Sequence, residues 1–132
     1  MSFFADERMD SMNKVYCYSR CSTCQKALKW LDAHGVAYEL VDIKADHPSE
    51  EDLRRYHEQS GLPLKRFFNT SGQLYRQLEL AKKLPAMPEA EQFKLLASDG
   101  MLVKRPLVIA GAKVLTGFKE SEWERVFLNG SR

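Results

Sequence analysis

Val15-Tyr16-Cys17-Tyr18-Ser19-Arg20-Cys21-Ser22-Thr23-Cys24-Gln25-Lys26 reads as a short strand, a tight turn carrying a Cys-x-x-Cys pair, and the opening of a helix. At a helix N-terminus the unpaired backbone N–H groups and the positive end of the dipole favour an anion. A thiolate is such an anion, and in this setting a thiol pKa falls from roughly 8.5 to about 3.5–7.5. The spacing therefore predicts an ionisable, exposed Cys21. Cys24 shares a helical face with Ala27, Leu28 and Leu31, which predicts the more buried sulfur. Nucleophile for Cys21 and resolving thiol for Cys24 are the natural roles.

Other chemistries fit the cysteines less well. One Cys-x-x-Cys is half a zinc site, but no second pair exists, and only Cys17 and three scattered histidines remain as ligands. The full Cys-x-x-x-Cys-x-x-Cys spacing matches radical iron–sulfur enzymes, which need a much larger barrel. Two inert buried thiols are the structural alternative. Redox chemistry without a metal is the favoured reading, with Cys17 as a small core residue.

The rest of the chain supplies a frame for such a pair. Its 132 residues suit one domain, and 44% hydrophobic with 29% charged residues is ordinary for a globular protein. A net charge of +2 gives no argument for nucleic-acid binding. No apolar run approaches a membrane span and no signal-peptide pattern opens the chain, so a reducing cytoplasm is expected. Residues 1–13 lack periodicity and read as a flexible arm outside the fold. Lys14 to Tyr18 is the expected central strand, followed by a helix from Ser22 to His34-Gly35 and a second strand over Val36 to Ile43. Links this short predict a right-handed βαβ unit with parallel strands. That is the context in which Cys-x-x-Cys reads as thioredoxin-like.

Residues 46–99 then read as a helical insert. Ser49 and Asp52 form a capping-box pattern that opens a helix through Leu53 and Tyr56 to Gly61, with His57 solvated. Asn69 to Gly72 is a turn by composition. Leu74, Tyr75, Leu78 and Ala81 mark one amphipathic helix, and Phe93, Leu96 and Ala97 another. Residues 100–128 return to the core: a strand over Leu107 to Ala110, a Gly111-Ala112 turn, a partner strand from Lys113, and a helix carrying Trp123, Val126 and Phe127.

Three places together resemble the arsenate reductase (ArsC)/Spx family of thioredoxin-like proteins: Tyr16 with Cys21-Ser22-Thr23-Cys24, Lys104-Arg105-Pro106-Leu107-Val108, and Thr116-Gly117-Phe118-Lys119-Glu120. The resemblance spans Lys14 to Leu128 as one α/β domain, with a mixed sheet flanked by helices. It implies a cis Pro106 facing the cysteines. It also implies Cys21 as nucleophile, and Ser22, Thr23, Asn69 and Pro106 as residues shaping the site. Glutaredoxin-coupled arsenate reductases hold their oxyanion with three arginines, of which only Arg105 has a match. The second falls at or near Asn69, the third at or near Thr116-Gly117, and a histidine of the pattern falls on Cys17. One guanidinium compensates a dianion poorly. The resemblance thus implies a cytoplasmic thiol–disulfide oxidoreductase with a Cys21/Cys24 dithiol, aided by Arg105 and reduced by glutaredoxin, glutathione or thioredoxin. It needs no bound cofactor, membrane or direct nucleic-acid contact. The alternative it offers is a Spx-like redox-sensing regulator that binds RNA polymerase through the C-terminal domain of the polymerase's α subunit.

Overall fold

The computed structural model describes residues 13–128. The elements run β1 (Asn13–Cys17), α1 (Ser22–Ala33), β2 (Tyr38–Asp42), α2 (Glu50–Ser60), α3 (Gln73–Gln77), α4 (Leu80–Lys83), α5 (Glu89–Ser98), β3 (Leu107–Ala110), β4 (Lys113–Thr116) and α6 (Glu120–Phe127). A single sheet has the order β2-β1-β3-β4. β1 pairs parallel with β2 and antiparallel with β3, and β3 pairs antiparallel with β4 across the Gly111-Ala112 turn. This is the thioredoxin-like sheet expected from the βαβ and ββα halves.

Side-chain alternation along β1 sorts the core into two layers. Val15 and Cys17 join Cys24, Ala27 and Leu31 of α1, Val108, Leu115 and Trp123 of α6. Tyr16 points the other way, into Leu53 and Tyr56 of α2, Phe67, Phe68, Phe93 and Leu107. The strand's period of two therefore places Cys17 and Cys24 in one layer. Local chemistry closes the helices. Gly35, at φ 67°, follows α1 in the left-handed region that suits glycine. The Ser49 hydroxyl accepts the Asp52 N–H at 3.0 Å to cap α2.

Some expectations change. Asn13 belongs to β1: it pairs with Tyr38, and its Nδ2 donates to the Ala37 carbonyl at 2.9 Å. The rest of the expected arm lies outside the described residues. The helix expected over Leu74 to Ala81 is broken at Glu79, whose φ is 56°. One continuous helix would have set Leu78 on the face of Tyr75. The break instead buries Leu80 and leaves Leu78 36% exposed. His57 is half-buried, its ring packed edge-on to Phe67 at 5.8 Å and Phe93 at 5.5 Å. No helix among the described residues is long and apolar enough to cross a membrane.

Candidate active site

The turn between β1 and α1 is built from backbone bonds. The Cys21 N–H donates to the Tyr18 carbonyl at 3.0 Å, and the Gln25 N–H donates to the Cys21 carbonyl at 3.1 Å. Gln25 also ties the turn from outside, its Nε2 donating to the Ser19 carbonyl at 2.9 Å. Cys21 is thereby the N-cap residue of α1, half-buried, while Ser22 and Thr23 are exposed in the first turn. Cys24, one turn deeper, is 1% exposed.

The electrostatics differ from the expectation in one respect. The sequence spacing assigns the helix-terminus stabilisation to Cys21, yet the Cys21 sulfur makes no capping bond to the first-turn amides. Hydrogen-bond donors converge on Cys24 instead. The Cys17 thiol is the strongest influence; the Tyr18 N–H at 3.5 Å and the Cys21 thiol add to it. Against the opposing effect of burial they lower the Cys24 pKa from 9.0 to about 6. Cys17 is pushed up, first because its proton is held between it and Cys24, then because it is buried. Cys17, expected as inert core, is thus the third member of a thiol cluster. Sequence spacing points at the pair, and only the strand's alternation could bring in the third.

Arg105 approaches from the far side of Tyr18. Its guanidinium lies over the Tyr18 ring at 5.3 Å, and Nη1 donates to the carbonyls of Met101 at 3.2 Å and Val103 at 3.3 Å. Its charge lowers the Cys24 pKa, as the last-ranked of the causes. The Arg105-Pro106 peptide is cis, as the resemblance implied. The β1–β3 register pairs Tyr16 with Leu107, and continuing it by one sets Pro106 opposite Cys17. The Gly117 N–H fixes the Pro106 carbonyl at 2.8 Å. Asn69 is engaged in the turn leading away, its N–H donating to the Leu102 carbonyl at 2.8 Å and its own carbonyl accepting from Gly72 at 3.0 Å. The structure thus gathers Cys17, Cys21, Cys24, Tyr18 and Arg105. It ties Asn69 to the 3-10 turn that precedes Arg105.

The sequence pattern of the ArsC family matches residues 16–126, which takes in both halves of this sheet and the whole thiol cluster. The chain belongs to the ArsC family. Among its relatives is the uncharacterised protein YusI of Bacillus subtilis, 54% identical over 109 residues, with 83% of this chain and 92% of that one covered. The fold is similar to that of an ArsC family related protein from Bacteroides fragilis, at 50% identity and a TM-score of 0.85, covering 88% of this chain and 98% of the other. It is also similar to a possible arsenate reductase from Streptococcus mutans, at 43% identity and a TM-score of 0.79, covering 86% and 98%.

Proposed function

We propose that this ArsC-family chain is a thiol–disulfide oxidoreductase whose working pair is Cys21 and Cys24, acting in a reducing compartment. The observation that carries this is the half-buried Cys21 at the start of α1 set one helical turn from the buried Cys24, whose pKa the neighbouring thiols and the Tyr18 amide draw down. Cys24 takes the Cys21 proton along their hydrogen bond as Cys21 attacks one sulfur of a disulfide. That disulfide's S–S bond breaks and the first thiolate leaves. Cys24 then attacks the Cys21 sulfur of the mixed disulfide, its proton passing to the second leaving group, and the intramolecular disulfide closes. An external thiol (glutaredoxin, glutathione or thioredoxin) returns the pair to the reduced state.

Arsenate fits this site less well. The matched cation, Arg105, already spends Nη1 on two backbone carbonyls, and a dianion beside the Cys24 thiolate would be repelled. The test is a coupled reductase assay with insulin as the protein disulfide and arsenate as the competitor substrate, each with thioredoxin and with glutaredoxin plus glutathione. Insulin turnover above that of the reductants alone, lost in Cys21→Ser, is expected, with little arsenate turnover. Robust arsenate reduction without disulfide turnover would overturn the reading.

A further inference from the structure

Cys24 and Cys17, both buried, also line a cavity whose wall does not include Cys21. The cavity, of about 480 Å³, opens between α1 and β2, within the usual span of small-molecule sites, roughly 300–1,000 Å³. Leu28 and Leu40 supply apolar surface, and Leu40 is 55% exposed on the sheet's edge strand. Tyr18 closes one side. Asp42 closes another, its carboxylate oxygen accepting the N–H groups of Lys44 at 2.9 Å and Ala45 at 3.4 Å.

We propose that this cavity binds a small organic disulfide with apolar substituents and no negative charge, which Cys24 attacks and Cys17 resolves. The inference rests on the dithiol reading above, but the closed pair is Cys17–Cys24. The wall dictates the ligand class. Leu28 and Leu40 favour apolar groups, while the Asp42 carboxylate and the Cys24 thiolate together repel anions. Bulky protein disulfides are left to Cys21 at the helix start.

The step balances without further reagents. The Cys24 thiolate attacks one sulfur of R–S–S–R, and the S–S bond breaks, releasing RS⁻. The departing thiolate takes the Cys17 proton. Cys17 then attacks the Cys24 sulfur, the Cys24–S–S–R bond breaks, and the second RS⁻ leaves. Two electrons pass from the cysteines to the substrate. The timing is built into the cluster. Cys17 is held protonated chiefly by its bond to Cys24, and that hold ends when Cys24 enters the mixed disulfide.

The experiment uses the reduced full chain carrying Cys21→Ser, with two chromogenic disulfides: neutral dithiodipyridine and dianionic dithiobis(nitrobenzoate). The neutral reagent should release two thiones per chain and leave a Cys17–Cys24 disulfide in the peptide mass map. Its rate advantage over the dianion should exceed that of the urea-unfolded chain by roughly tenfold. Leu40→Lys in the same background, which puts a cation in place of an apolar wall group, should remove most of that advantage. A stable one-thione adduct on Cys24, or an advantage no larger than in the unfolded chain, would overturn the inference. The wild type's Cys21–Cys24 disulfide, read in the same mass map, tests the dithiol reading separately.

Discussion

At the scale of single residues, the thiol cluster is three sulfurs whose surroundings favour the thiolate unequally. The thiolate is favoured at Cys24, where donors from the strand end, the turn and the helix start meet. Arg105 adds a smaller effect through space. This has a consequence for stability. A thiol whose folded pKa is depressed contributes stability that is present above its unfolded pKa and is lost as pH falls through the folded value. For Cys24 that window runs from 9.0 down to about 6. Cys17 acts with the opposite sign: its raised pKa keeps it protonated in the fold while the unfolded thiol ionises, so it costs stability above its ordinary value. In urea with a reductant, the wild type should therefore gain stability between pH 6 and about 8.5, then lose it at higher pH. Subtracting the same curve for Cys24→Ser removes what the two proteins share. A flat difference curve across that window would show that Cys24 carries no stabilised charge.

At the scale of elements, the tightest constraint lies away from the sulfurs. Gly100 opens the 3-10 turn before β3, and a Cβ there would overlap the Ile43 carbonyl oxygen and press on the His47 side chain. Gly61 at the end of α2 has open space around it but a φ of 68°. Gly61→Ala should cost about 1 kcal/mol from backbone strain alone. Gly100→Ala should cost more, about 2–3 kcal/mol, because a backbone carbonyl must move. Urea midpoints of the two variants decide it, and equal losses would mean the Ile43 segment yields freely. This contrast also marks what was legible in the chain. Gly61 and Gly35 announced themselves as helix ends, as did the Ser49 cap and the strand, turn and helix around Cys21, because those signals are local. The close approach at Gly100, the break at Glu79 and the seat of His57 between two phenylalanines come from packing between segments distant in sequence. The same holds in the site: Cys21 and Cys24 were readable from spacing and Cys17 from the alternation of β1, whereas the wall formed by Leu40 and Asp42 required the parallel pairing of β1 with β2.

At the scale of the whole molecule, the insert must be fastened to the sheet, since α2 and α5 pack on the face opposite α1. Much of that join is apolar, and a buried side-chain hydrogen bond crosses it. The Tyr16 hydroxyl of β1 meets the Tyr56 hydroxyl of α2 at 3.2 Å, with both side chains buried. Burial is the main reason the Tyr16 pKa is raised, with its bond to Tyr56 next. The Arg55 guanidinium lies over the Tyr56 ring, 5.4 Å from its centroid, with Tyr56 a minor influence on its charge. The two phenylalanine variants are therefore not equivalent. Tyr16→Phe leaves Tyr56 beside the Arg55 guanidinium over its ring, and should cost about 0.5–1 kcal/mol. Tyr56→Phe strands the Tyr16 hydroxyl between strand and helix, and should cost about 1–3 kcal/mol. Removing both hydroxyls leaves no stranded partner, so the double variant should be less destabilised than the sum of the singles. A double-mutant cycle on unfolding free energies measures this. Additive losses, or a larger loss for Tyr16→Phe, would show that the hydroxyl contact does not help hold the insert to the sheet.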